Sequence, residues 1–237
     1  MELKSARALI TGGSDGIGLA IGRALAEKGA RVALMARRAD RVNAAAKEIG
    51  ALAITGDVSK PADADAAVAR VVQEFGGLDI LINNAGFGTF GALTELNLED
   101  FARTFATNVT GAMLMARAAA PHMIRQSSGN ILNISSTAGL KGFANGTTYC
   151  ATKFALRGMT ECWREELRRH NIRVTLVNPS EVQTNFGVSA GGQPRPYNEK
   201  KLRAEEIARA IVGALQIDDR GFIPEFSVFA TNPFPPA

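Results

Sequence analysis

A tyrosine and a lysine four residues apart are the side chains of this sequence best suited to acid–base chemistry. Tyr149 and Lys153 open a segment with helical periodicity, so both project from one face, one turn apart. A phenol has a reference pKa of about 10, and a neighbouring ammonium stabilises the phenolate. We therefore expect Lys153 to move the pKa of Tyr149 toward neutral pH, where a phenol is an effective general acid or base.

A glycine-rich turn stands between the first predicted strand and the first predicted helix. It reads Thr11-Gly12-Gly13-Ser14-Asp15-Gly16-Ile17-Gly18. Glycines permit a tight turn and let backbone amides approach a pyrophosphate, which then rests on the helix N-terminus. The spacing departs from G-x-G-x-x-G, and glycines also occur in turns that bind nothing. The predicted cofactor contacts here are Gly12, Ser14, Asp15, Gly16, Ile17 and Gly18.

The end of the second predicted strand discriminates between the two nicotinamide dinucleotides. A carboxylate there bonds the ribose 2′-hydroxyl, whereas a cation accommodates a 2′-phosphate. The strand ends Met35-Ala36-Arg37-Arg38. Guanidinium groups suit a phosphate, so we predict NADP(H) with Arg37 as the main contact and Arg38 as the second. Two solvated arginines are the alternative, and the negative charge of Asp15 is a mild objection.

Polar residues also follow the later strands. Ser136 ends one strand, where its hydroxyl can donate to a carbonyl oxygen, and Asn108 lies in the preceding helix, where its amide can hold a water or orient the lysine. Asn83, Ala85 and Gly86 end another strand and form a natural floor for a nicotinamide ribose.

The elements that must position these residues alternate between strands and helices. The predicted strands are 6–11, 30–36, 51–57, 78–85, 129–136, 172–179 and 222–230, and the predicted helices are 16–28, 39–49, 61–75, 98–126, 147–170 and 203–216. Ser59 with Pro61, and Asn97 with Asp100, are plausible helix starts. Apolar strands separated by helical crossovers predict an α/β fold, a doubly wound parallel sheet of about seven strands in a single domain, 1–237. Ligands bind such sheets beyond the carboxyl ends of the strands.

Residues 180–202 are rich in Gly and Pro, and their length predicts a lid over the substrate or, alternatively, a plain surface loop.

Composition narrows the class of protein. The 237 residues are 46% hydrophobic and 21% charged, with a net charge of +4, which excludes a disordered chain or a coiled coil. The mild positive charge comes without a basic stripe, so no nucleic-acid partner is predicted. The sequence has two cysteines, Cys150 and Cys162, and two histidines, and none of them has metal-ligand spacing, so no metal site is predicted. Two cysteines are also too few for a disulfide framework, which indicates a reducing, cytoplasmic setting. Without a long apolar run, no membrane partner is expected.

Together these motifs resemble the short-chain dehydrogenase/reductase family over nearly the whole chain. The resemblance implies an Asn–Ser–Tyr–Lys tetrad and hydride transfer between a nicotinamide and a carbonyl carbon. By that resemblance Tyr149 protonates the oxygen, Ser136 polarises it, Lys153 binds the ribose and lowers the tyrosine pKa, and Asn108 anchors a water. Asp57 and Val58 would meet the adenine, and Pro179, Val182 and Thr184 would lie at the carboxamide. Ser180 stands where the family often has glycine, which affects the substrate loop.

The resulting hypothesis is an NADPH-dependent reductase of a ketone, aldehyde or 3-oxoacyl group. Alternatives are a 3-oxoacyl-[acyl-carrier-protein] reductase specifically, a non-catalytic NADP(H)-binding sensor, and a purely structural protein. The family resemblance implies a homotetramer or homodimer. A stripe of Leu156, Met159, Trp163 and Leu167 is either core or a subunit interface, and Phe87, Phe90 and Phe143 are candidate walls of an apolar substrate pocket.

Overall fold

Seven parallel strands form one sheet. A computed structural model describes residues 1–186 and 196–232 of the chain. The strands of the sheet are β1 (Arg7–Thr11), β2 (Arg31–Ala36), β3 (Leu52–Thr55), β4 (Ile80–Asn83), β5 (Gly129–Ile134), β6 (Ile172–Pro179) and β9 (Glu225–Val228), and a separate ribbon pairs β7 (Val182–Gln183) with β8 (Leu202–Arg203). The strand order in the sheet is β3-β2-β1-β4-β5-β6-β9. The order reverses between β1 and β4, so the predicted doubly wound sheet is confirmed.

Helices cover both faces of this sheet. They are α1 (Gly16–Glu27), α2 (Ala39–Ile49), α3 (Pro61–Phe75), α4 (Leu98–Phe105), α5 (Ala112–Gln126), α6 (Thr147–Leu167) and α7 (Ala204–Leu215), with short 3₁₀ turns at Leu93–Glu95, Thr137–Gly139 and Arg168–His170. One buried cluster joins α1, α2 and α7 to one face, and a second joins α3 and α5 to the other. Burial on two faces explains why β4 and β5 contain no exposed residue.

Both helix starts predicted from sequence are confirmed in position, but only one of the two expected caps is present. Asn97 caps α4 as expected, because its side chain accepts a hydrogen bond from the backbone N–H of Asp100 at 3.0 Å. Helix α3 begins at Pro61 as predicted, but the residue at its N-cap is Lys60, not Ser59. The hydroxyl of Ser59 donates to Asp57 Oδ1 at 2.8 Å and is therefore turned away from the helix.

The predicted continuous helix at 98–126 is interrupted. Residues Ala106–Gly111 form a π-helical turn between α4 and α5. Such turns place one extra residue in the helix and are frequent at functional sites. Here the turn contains Asn108, which is only 2% exposed and faces the loop that follows β4. The interruption thus serves the candidate site, and simple helical periodicity does not reveal it.

The segment 180–202 was predicted to be a lid, and residues 187–195 lie outside the described part of the chain. Its two ends are joined by the β7–β8 ribbon and by paired hydrogen bonds between Gln183 and Asn198, both 2.6 Å long. The Asn185 side chain also donates to Asp15 at 2.7 Å. The first half of the segment is therefore attached to the glycine-rich turn.

The apolar stripe on α6 is buried at one end and half-buried along the rest. Leu156 is 2% exposed, whereas Met159, Trp163 and Leu167 are half-buried, and Trp163 and Leu167 pack against the second buried cluster. The stripe thus contributes to the core, and the predicted subunit interface and the homotetramer or homodimer stay predictions. No helix among the described residues is both long and apolar enough to cross a membrane. The same residues contain no group of three potential metal ligands.

Candidate active site

The catalytic candidates meet at the carboxyl ends of β4 and β5. Tyr149 and Lys153 occupy the first two turns of α6, and Ser136 follows β5 directly. The hydroxyl of Ser136 accepts a hydrogen bond from the Ala138 backbone at 3.1 Å and also bonds the Tyr149 side chain. The Lys153 ammonium lies 5.6 Å from the centre of the Tyr149 ring. These three side chains therefore form one cluster.

Lys153 is a buried cation. It is 6% exposed, and its ammonium donates to the backbone carbonyl of Ile134 at 2.8 Å. Burial lowers the pKa of Lys153 to about 8, because removing a charge from water is costly. A Cβ on Gly86 would lie 3.8 Å from Nζ, so the chain after β4 passes close above the ammonium.

The predicted effect of Lys153 on the tyrosine is wrong for this structure. Burial raises the pKa of Tyr149 to about 12, although the hydrogen bond with Ser136 acts in the opposite direction. Because burial lowers the pKa of Lys153 to about 8, the lysine is already neutral in the pH range where Tyr149 would ionise, so it does not stabilise the phenolate. At neutral pH Tyr149 is consequently a protonated phenol, which can donate a proton but cannot readily accept one.

Asn108 is tied to two neighbours. Its side-chain oxygen accepts from the Phe87 backbone N–H at 3.0 Å, while its amide donates to the Phe87 carbonyl at 2.8 Å and to Thr152 at 3.1 Å. Thr152 in turn donates to the backbone carbonyl of Tyr149 at 2.8 Å. The side chain therefore positions the loop after β4 against α6. Both amide hydrogens of Asn108 are used in these bonds, and the anchoring of a water by Asn108 stays a prediction.

Asn83 was predicted at the cofactor, but its side chain points into the fold. It is 4% exposed and donates to Asn133 Oδ1 at 2.9 Å, and Asn133 donates onward to Thr160 of α6 at 2.8 Å. Its own side-chain oxygen is buried without a partner. This chain of polar groups links β4, β5 and α6 directly below the catalytic cluster.

The neighbouring Asn84 has the role of fixing the glycine-rich turn. Its amide donates to the carbonyls of Thr11 and Gly12 at 3.0 and 3.2 Å. The Thr11 hydroxyl also accepts from the backbone of Ala85 at 3.0 Å. Sequence reasoning missed Asn84 and Thr152, although Asn84 stands between the predicted contacts Asn83 and Ala85, and Thr152 directly precedes Lys153.

The glycine-rich turn fits a pyrophosphate. Gly12 and Gly16 have positive φ values of 64° and 54°, and a Cβ on Gly18 would collide with the Gly12 carbonyl oxygen. Asp15 caps α1 by accepting from the Gly16 N–H at 2.7 Å. Ser14 lies in the turn, and Ile17 packs against the first core cluster. Backbone amides at a helix N-terminus remain the groups that suit a phosphate.

The remaining predicted contacts surround this turn. Thr184 lies against Gly16, where a Cβ would be 3.4 Å from its side chain. Pro179 ends β6, and Val182 begins β7 with its side chain partly buried against the core. Val58 is 6% exposed and packs near Gly111, so its side chain belongs to the second core cluster.

The two arginines lie at the exposed end of β2. Arg37 and Arg38 are both exposed, and Arg38 directly precedes α2. Burial alone would raise the pKa of the Asp57 carboxyl, but hydrogen bonds from Ser59 and the charges of Arg37 and Lys60 hold it below its ordinary value. Arg37 is therefore close to the end of β3, on the edge where a cofactor ribose would lie in this fold.

Comparison with known proteins identifies the family. The family model for short chain dehydrogenases matches residues 6–193. The chain belongs to the short-chain dehydrogenase family. An uncharacterized oxidoreductase of Staphylococcus epidermidis is 33% identical over 218 residues, covering 90% of this chain and 92% of the relative.

Solved structures agree with the fold. A metagenomic short-chain oxidoreductase in complex with NADP has 34% identity and a TM-score of 0.83, covering 98% of this chain and all of its own. A 3-ketoacyl-(acyl-carrier-protein) reductase from Brucella melitensis, complexed with NADH, has 30% identity and a TM-score of 0.86, covering 97% and 98%. This short-chain dehydrogenase is an oxidoreductase by family, while its relatives differ in the dinucleotide they hold.

Proposed function

We propose that this short-chain dehydrogenase reduces a carbonyl compound to an alcohol with NADPH, using Tyr149 as the general acid. The observation that carries the proposal is the cluster of Tyr149, Ser136 and Lys153, in which the buried Lys153 ammonium lies 5.6 Å from the centre of the Tyr149 ring. The phenol, whose pKa burial raises to about 12, holds its proton at neutral pH and releases it only to a stronger base, such as the alkoxide that hydride addition to a carbonyl produces. The proposal treats residues 1–237 as one catalytic domain with a lid at 180–202.

The division of tasks follows from the geometry. When bound, the nicotinamide dinucleotide supplies the hydride. Ser136 and Tyr149 present hydroxyl groups side by side, so one carbonyl oxygen can accept a hydrogen bond from each. Lys153 places a positive charge next to the loop at Gly86, where a cofactor ribose would be held. Asn108 keeps that loop and α6 in register.

The choice of NADP(H) over NAD(H) is supported by charge. Arg37 and Arg38 are exposed cations at the end of β2, and guanidinium groups bind phosphate in a bidentate manner. The NADP bound to the metagenomic relative agrees with this choice, whereas the NADH bound to the Brucella reductase does not decide it. The negative charge of Asp15 is an objection to a nearby 2′-phosphate. Its carboxylate accepts hydrogen bonds from the Gly16 N–H at the start of α1 and from the Asn185 side chain, which weakens that objection.

A narrower reductase activity and a non-catalytic sensor are alternatives to general carbonyl reduction. The likeness to the Brucella reductase supports 3-oxoacyl-[acyl-carrier-protein] reduction as a narrower form of the same activity. A non-catalytic NADP(H) sensor would use Lys153 to hold the ribose, but it has no use for the acid–base function of Ser136 and Tyr149 beside that lysine. The complete set of Ser136, Tyr149 and Lys153 therefore favours an enzyme.

The test measures oxidation of NADPH and of NADH with an acetoacetyl thioester and a panel of ketones and aldehydes. We expect NADPH to be preferred, and we expect Tyr149→Phe to lower kcat by roughly 10² to 10⁴ with unchanged NADPH affinity. Tyr197→Phe is the matched control, because Tyr197 is 71% exposed and lies outside the cluster. Tight NADPH binding without turnover of any carbonyl would instead identify a sensor.

A further inference from the structure

Three phenylalanines from separate segments surround the catalytic tyrosine. Phe90 follows β4, Phe143 precedes α6, and Phe186 follows β7. The Phe90 and Phe186 ring centres lie 5.6 and 5.4 Å from that of Tyr149, and Phe143 lies 6.2 Å from Phe90. These separations fall within the range at which aromatic rings attract one another. We call Phe90, Phe143 and Phe186 the aromatic rim.

The aromatic rim does not belong to the core. Phe90 is 47% exposed and Phe143 is 52% exposed, which is a large apolar area to leave in water. Both buried clusters that hold the fold together lack all three rings. Stability of the described fold thus gives no reason for three phenylalanines at these positions.

The loops that carry the rim are fitted to the rings. A Cβ on Gly88 would lie 2.7 Å from the Phe90 ring, and a Cβ on Gly146 would lie 2.7 Å from the Phe143 ring. The backbone N–H of Gly91 donates to the Asn145 carbonyl at 3.0 Å and joins the two loops. The rings are therefore held in place before any substrate arrives, which lowers the entropy cost of binding.

We infer that the aromatic rim binds an aryl group of the substrate, so that the preferred substrates are ketones or aldehydes carrying an aromatic ring close to the carbonyl. This inference rests on the proposed carbonyl reduction. Phe90 and Phe186 of the rim contact Tyr149 from two separate segments of the chain, so a ring bound beside them brings its carbonyl close to the phenol. None of the three side chains offers a partner for a carboxylate, which disfavours oxo acids.

An aryl group is favoured over an alkyl group of equal size by the geometry of the rings. Aromatic pairs attract beyond the area they bury, by an amount equivalent to about two- to tenfold in affinity for each pair. A cyclohexyl group buries similar area but lacks this attraction. The comparison that isolates the effect is therefore a phenyl against a cyclohexyl group at the same distance from the same carbonyl.

The experiment compares kcat/KM for 1-phenylpropan-2-one and 1-cyclohexylpropan-2-one with NADPH. The methylene group insulates both carbonyls, so their intrinsic reactivity is closely matched. We expect the phenyl ketone to be preferred by roughly tenfold, and Phe90→Leu and Phe143→Leu each to reduce that ratio by about threefold. Phe75→Leu, at the end of α3 and beside Arg31 at the start of β2, should leave the ratio unchanged. Thermal melting confirms that each variant is folded.

The outcomes separate this inference from the proposed function. Equal rates for the two ketones, or a ratio that persists in both rim variants, would overturn the aromatic rim as an aryl site while leaving carbonyl reduction intact. If neither ketone is reduced, saturation-transfer NMR with NADP⁺ present measures binding of the same two compounds. A phenyl preference that is lost in Phe90→Leu then supports the aryl site, and its absence contradicts it.

Discussion

The floor and the rim of the candidate site are built on opposite principles. The floor consists of buried polar groups that bond one another or the backbone, namely Lys153, Asn108, Thr152, Asn133 and Thr160. The rim of the site consists of the aromatic rim together with Arg37, and its side chains are exposed or half-buried and lie outside both core clusters. Every floor residue makes buried contacts that stabilise the fold, whereas the rim residues contribute mainly to the binding of a ligand. Floor substitutions should therefore change stability and activity together, and rim substitutions should change selectivity alone.

The largest effect is expected from Lys153→Met on the floor. Activity should fall by about 10² to 10⁴, because the charge beside Tyr149 and the cofactor loop is removed. Stability at pH 7 should rise by about 1 to 2 kcal/mol, since relief of the buried charge exceeds the loss of the bond to Ile134. Chemical denaturation measures the second change.

The pH dependence of that gain follows from the sign of the shift. The pKa of Lys153 is about 8 in the fold and 10.5 in its ordinary state, so the unfolded chain binds more protons between these values. The penalty on the wild type is complete below pH 8 and disappears as the pH rises to 10.5. The advantage of Lys153→Met should shrink over that interval. Lys47→Met, at an exposed position of α2, is the control, and a less stable Lys153→Met at pH 7 would contradict this interpretation.

A smaller loss of activity is expected from Asn108→Ala. Both backbone groups of Phe87 and the Thr152 hydroxyl lose a partner, which should cost about 2 to 4 kcal/mol of stability. Displacement of the loop from α6 should lower kcat by roughly 10- to 100-fold. Asn97→Ala, which removes only the cap of α4, should cost about 1 kcal/mol and leave kcat unchanged. An Asn108→Ala variant with normal stability would show that these bonds are weak.

The sequence predicts the sheet and the catalytic candidates better than it predicts the buried contacts around them. The strand–helix alternation predicts the sheet, and the motifs place Ser136, Tyr149 and Lys153 at the carboxyl ends of its strands. The π-helical turn at Asn108 and the inward side chain of Asn83 depend on packing between β4, α5 and α6. Local periodicity carries no information about such packing.

The same limit applies to the electrostatics. The four-residue spacing predicts that Lys153 lowers the pKa of Tyr149. In the structure, burial instead raises the pKa of Tyr149 and lowers the pKa of Lys153. Phe186 lies 37 residues from Tyr149 in sequence, and only the path of the chain after β6 brings the two rings together. Such contacts follow from the tertiary structure, and no regular spacing of residues in the sequence indicates them.

The smallest effect, and a purely selective one, is expected from Arg37→Ala. Arg37 is exposed and lies near Asp57, so its removal should leave the melting temperature unchanged. Loss of a charge-assisted contact with a 2′-phosphate should raise the KM for NADPH by about tenfold or more and leave the KM for NADH nearly constant. Arg38→Ala should shift the same ratio less, and high salt should weaken the wild-type preference. If Arg37→Ala leaves the NADPH-to-NADH ratio unaltered, the arginine belongs to the solvated surface, and the assignment of a phosphate to this part of the rim is wrong.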